Sequence, residues 1–74
     1  MNRGMLLKHL RLAEKHVAQG ERHIARQREI IAELARDSHS TASAESLLEL
    51  FESTQAGHLA HLDRLRQELA ENSN

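Results

Sequence analysis

The chemistry-bearing residues of this chain are its histidines, six in 74 residues. His9, His16 and His23 recur every seven residues, so on a helix they line one edge, with Ile30 in the next slot of that row. His58 and His61 stand three apart, one turn of a helix, and His39 lies in a polar stretch between the two groups. Imidazoles can ligate a divalent metal, switch charge near neutral pH or hydrogen-bond in a buried polar layer. For a metal, the candidates are His23, His58 and His61, three imidazoles on one ion with a fourth ligand supplied by a second copy. His9 and His16 cannot join His23 on that ion, because seven residues of helix rise about 10.5 Å.

Other chemistries are excluded by what is missing. The residue three before His58 is Gln55 and the residue three before His61 is His58, so the chain has no Glu-x-x-His of a di-iron bundle and no His-Glu-x-x-His. With no cysteine there is no disulfide framework, thiolate zinc site or thiol nucleophile. No glycine-rich phosphate loop, Ser-His-acid arrangement or pair of carboxylates in an apolar setting occurs, so the expectation is a non-enzyme with no cofactor beyond a transition metal.

The elements that position the histidines follow from apolar periodicity. Hydrophobic residues are 39% of the chain and aromatics 1%, the single Phe51, so the apolar volume is aliphatic, with no proline to interrupt it. In the first half the stripe runs Leu6, Leu10, Ala13, Val17, Gly20, Ile24, Gln27, Ile31 and Leu34, alternating fours and threes. In the second it runs Leu48, Phe51, Gln55, His58, Leu62, Leu65 and Leu69. Between them Asp37 to Ser43 is short and polar, a stretch that prefers turns and caps. The fold predicted is all-α: one helical hairpin over residues 1–74, with helix one about 4–36, loop 37–41 and helix two about 42–71, Thr41 capping the second helix.

Charge supports the pairing. Residues 1–36 hold eight Lys or Arg against four Glu, residues 37–74 two Arg against seven Asp or Glu, so a +4 helix folds on a −5 helix and the sum is −1. The basic face with Lys8, Arg11, Lys15, Arg22, Arg26 and Arg28 could meet phosphates, but the acidic helix offsets its field and Phe51 is the only base-stacking ring. Nucleic acid is therefore not the expected partner.

A reversal near Ser40 makes facing residue numbers add to about 82, placing Gln27 opposite Gln55 and Ile24 opposite His58. The middle of the seam then reads as a polar layer of His23, Gln27, Gln55 and His58. Its apolar surroundings are Leu10, Val17, Ile24, Ile31, Leu34, Leu48, Phe51, Leu62, Leu65 and Leu69. Gly20, in the same stretch, either admits a close neighbour or leaves room for a bulky group. Such a layer fixes register, binds a metal, or senses protons: histidines held neutral in the seam would lose stability as pH falls below about 6.5.

Leu7, Ile30, Leu47, Leu50 and Leu59 flank the stripes and widen them beyond a two-helix seam. A chain this short also needs a staple, and with no cysteine the expected one is self-association into a four-helix bundle; the alternative is a monomeric hairpin with ordinary surface leucines. No apolar run is long enough for a membrane span, and the start Met-Asn-Arg-Gly-Met-Leu-Leu-Lys lacks a signal-peptide core, which points to the cytoplasm.

The stretch from Glu21 to Leu34, followed by Thr41, Leu47, Leu48, Phe51, Thr54, Gln55 and His58, resembles a group of small α-helical proteins of rhizobia and related alphaproteobacteria. The resemblance covers roughly residues 10–70. It implies a helical hairpin in a bacterial cytoplasm and carries no site residues, since no activity is established for that group. Ser38 stands where the resemblance implies Gly, so a left-handed residue there is strained. Taken together, the expectation is a non-enzymatic protein–protein interaction module that dimerises and meets a further protein partner, with histidine-based metal binding as the alternative.

Overall fold

The computed structural model describes residues 2–72 as two α-helices, α1 Arg3–Arg36 and α2 Ala42–Asn72, packed against each other as a hairpin. The molecule measures 57 × 14 × 13 Å, and its radius of gyration of 16.8 Å far exceeds the roughly 11 Å of a compact chain this size. Neither helix is long and apolar enough to cross a membrane.

Each helix end has an identifiable cause. α1 starts at Asn2, whose Oδ1 accepts from the Met5 N–H at 2.8 Å and satisfies an otherwise orphan donor. At the other end Ser38 adopts φ 60°, the left-handed region. That turn lets the Ser38 N–H donate to Ala35 O (3.2 Å) and the His39 N–H donate to Leu34 O (2.9 Å), the paired bonds of a Schellman stop. Ser38 thus takes the left-handed conformation that ends the helix. Thr41 holds the position before α2 through its carbonyl, which accepts from Glu45 N–H at 2.8 Å. The side-chain cap comes instead from Ser40, whose Oγ accepts from Ala42 N–H at 3.4 Å.

The stop at Ser38 shifts the register expected from sequence. His16 faces His58 and His23 faces Phe51, so facing residue numbers add to about 74 rather than 82. Gln27 therefore does not meet Gln55, Ile24 does not meet His58, and the four polar residues do not form one layer. The reversal projects to Asp37, about one turn earlier, because the Schellman stop folds the chain back directly from the last turn of α1.

Burial is uneven along the hairpin. The apolar core is Leu6, Ala13, Val17, Leu62 and Leu65, with Leu10 and Leu69 packed on it, all in the half away from the loop. Leu6 is the most enclosed, at 1% exposure. Toward the loop Ile24, Ile31, Leu34, Leu48 and Phe51 are only half-buried, short of the full core role expected of them. Two parallel cylinders enclose a side chain only between their facing stripes, so residues at the rim stay half-open without further helices. The ion pairs at Arg26, to Glu29 (3.1 Å) and Glu33 (3.6 Å), run along α1 at exposed positions and contribute little to helix pairing.

Candidate functional site: the histidine face

One side of the hairpin gathers the histidines. On α1 the row Met5, His9, Leu12, His16, Gln19 and His23 is spaced 4, 3, 4, 3 and 4, which keeps it on one face. On α2 the corresponding row is Leu47, Leu50, Thr54, His58 and His61. The two rows border a common open groove of about 100 Å³ whose walls include His16, His23, Phe51, Thr54 and His58, with Gly20 and Gln55 at its floor. From Met5 to His23 and from Leu47 to His61 the two rows hold no Lys, Arg, Asp or Glu, although charged residues are 28% of the chain; at the same spacing Arg26 follows on α1 and Arg64 on α2. The first acid along the α2 side is Glu68, beyond the histidines.

Across the groove His16 and His58 bring their ring centres to 5.4 Å with planes inclined at 42°. Both are half-buried, and neither ring is hydrogen-bonded to protein among the described residues. His23 packs against Phe51 at 5.9 Å between centroids. It is nevertheless exposed, as are His9, His39 and His61. The three metal candidates His23, His58 and His61 are therefore not brought together: the imidazole facing His58 is His16. Among the described residues no group of three His, Cys, Asp or Glu has the spacing to hold an ion. An exposed His23 is also not a member of a buried polar layer.

His16 was missed from sequence because the facing sum of 82 put His23 nearest His58. The signal that finds it is the polar stop itself: placing the left-handed residue at Ser38 moves the reversal back by about one turn, which shifts the facing residue on α1 by about two turns and brings His16 across from His58.

The two glutamines lie deeper, each 7% exposed or less, and both reach across the seam to backbone. Gln27 Nε2 donates to Ala44 O at 2.9 Å, and Gln55 Nε2 donates to Val17 O at 2.9 Å. Each carbonyl has a second lone pair beyond its helical bond, so the amides bridge the helices without breaking either ladder. These bonds hold the register that places the histidines. Gly20 is the seat of the Gln55 amide: a Cβ added there would collide with Gln55 Oε1 and lie 2.6 Å from Cδ. Gln55 Oε1 is buried against that glycine with no hydrogen-bond partner among the described residues.

No family model, curated protein or solved structure matches this chain, so its reading rests on the geometry.

Proposed function

We propose that this chain is a non-enzymatic protein–protein interaction module of the cytoplasm. In this reading the hairpin pairs with a second copy through its histidine face, forming a four-helix bundle whose charged outer faces meet a partner protein. The observation that carries it is a stretch of face without charge, from Met5 to His23 on α1 and from Leu47 to His61 on α2, on an otherwise densely charged hairpin, with Leu12 53% and Leu50 59% exposed upon it. Charge depletion and exposed large aliphatics are the marks of a surface that is covered when the protein works.

The area supports this reading. The solvent-accessible surface is 5399 Å², against about 4,600 Å² for a compact monomer of 8.4 kDa. The excess is of the order of the ~800 Å² that each partner contributes to a standard interface. The groove, at about 100 Å³, is small beside the roughly 300–1,000 Å³ of small-molecule sites, which favours a side chain of another protein as its occupant.

Light scattering on the eluted protein tests the proposal. The expected mass is about 17 kDa, twice the 8.4 kDa chain. Leu12→Glu and Leu50→Glu, each placing an unpaired carboxylate in the interface, should return it to chain mass with helix content kept, because neither residue is in the hairpin core. A wild-type protein that stays at chain mass at high concentration would overturn the reading.

A further inference from the structure

We infer that the His16–His58 pair is half of a metal site that a second copy of the chain completes, binding one tetrahedral zinc-type ion between four imidazoles. This inference rests on the dimer proposed above and assigns its centre.

The spacing is the first argument. Two imidazoles on one tetrahedral ion, with metal–nitrogen bonds of about 2.0–2.1 Å, have ring centres about 5 Å apart. His16 and His58 stand at 5.4 Å before any ion is present. They come from different helices, so the spacing is set by the hairpin seam and its glutamine bridges rather than by one flexible loop. A ligand pair held in place this way loses little freedom on binding.

The second argument is availability. Half-burial limits the motion of both rings, while no protein group among the described residues occupies their nitrogens by hydrogen bonding. Imidazole pairs of this kind suit zinc, copper and nickel rather than magnesium or calcium, which take oxygen ligands.

The third argument is completion. Two ligands fill half of a tetrahedral shell, and among the described residues no third His, Cys, Asp or Glu joins them. The missing pair is available by symmetry. His58 lies one residue from the midpoint of α2, Ala42–Asn72, and His16 lies within one turn of the midpoint of α1, Arg3–Arg36. A two-fold axis through the middle of the uncharged face, which gives two long hairpins their greatest overlap, sets one His16–His58 pair against the other.

The test uses untagged full-length protein, with EDTA or with zinc chloride at one ion per two chains, followed by light scattering, and by titration calorimetry for stoichiometry. The expected result is one zinc per two chains and at least about a tenfold lower dimer dissociation constant with zinc, since a ligand bound only by the dimer stabilises it by mass action. Cobalt in place of zinc should give the intense visible absorption of a tetrahedral site. His16→Ala and His58→Ala should each abolish the zinc effect and the cobalt spectrum while circular dichroism shows the helices intact; His39→Ala, in the loop, should retain both. A dimer that neither binds zinc nor tightens with it refutes the metal site and leaves the dimer standing. Chain mass with and without zinc refutes both. One zinc per chain, or a zinc effect that survives His16→Ala, refutes the shared four-imidazole site.

Discussion

Replacing Gly20 by Ala should reveal how tightly the Gln55 amide is seated. In a helix interior the change ordinarily stabilises by about 1 kcal/mol. Here the new methyl would meet Gln55 Oε1 and lie 2.6 Å from Cδ, so the amide must leave its seat. Leaving breaks the 2.9 Å bond from Gln55 Nε2 to Val17 O, worth about 1 kcal/mol, and forces the side chain off its preferred rotamer, worth about another. The helical gain is then cancelled or reversed, and Gly20→Ala should be destabilising by roughly 0–1.5 kcal/mol. In a Gln55→Ala background the obstruction is gone, and the same change should stabilise by about 1 kcal/mol. A double-mutant cycle followed by urea unfolding at fixed protein concentration, read by circular dichroism, should thus give a coupling of about 2 kcal/mol. A coupling below about 0.5 kcal/mol, with Gly20→Ala stabilising in both backgrounds, would refute the seat.

Ser38→Gly removes the side-chain penalty at φ 60° and should stabilise by about 1 kcal/mol, raising the midpoint of thermal unfolding by about 4–8 °C; an unchanged midpoint would show the serine unstrained. Leu62→Ala, at 4% exposure, should destabilise by about 2–5 kcal/mol, whereas Leu59→Ala, 48% exposed on the opposite flank, should stay within about 0.5 kcal/mol; equal losses in urea unfolding would contradict the placement of the core. Asn2→Ala deletes the α1 cap and should lower stability by about 1 kcal/mol, with faster amide exchange confined to the first turn. Gln27→Ala frees Ala44 O from its cross-helix donor and should lower stability by about 1 kcal/mol, with increased exchange near the loop as the second readout.

The helices were legible because both stripes keep a 3.6-residue period over several turns and the intervening segment is rich in turn formers. Their ends fall within one residue of the positions expected, at Arg3, Arg36, Ala42 and Asn72. Registry was the part that periodicity does not contain. A stripe repeats every turn, so sliding one helix by a turn leaves apolar residues facing apolar residues, and only the geometry of the reversal selects among the alternatives. Ser38 carried that information: once it is left-handed, His16 and not His23 faces His58. The glutamines sit at seam positions of the stripes and are buried, but their acceptors are main-chain carbonyls of Val17 and Ala44, which no side-chain pattern announces. Phe51 and Ile24 satisfy the core period yet remain half-buried, since period reports direction and a two-helix packing decides depth.

The position of the apolar core has a kinetic consequence. Leu6 and Leu65, members of one cluster, are separated by about sixty residues of chain, while the segment nearest the turn is joined by the Gln27–Ala44 bond and by aliphatic residues that are only half-buried. Zippering outward from the reversal therefore yields little reward in its first steps, and most of the loop-closure entropy is spent before the leucines meet. Chain collapse must bring the two far ends together to gain the bulk of the stabilisation. For the same reason a hairpin that opens by a few turns at the reversal keeps its strongest contacts, and the ends remote from the turn separate last.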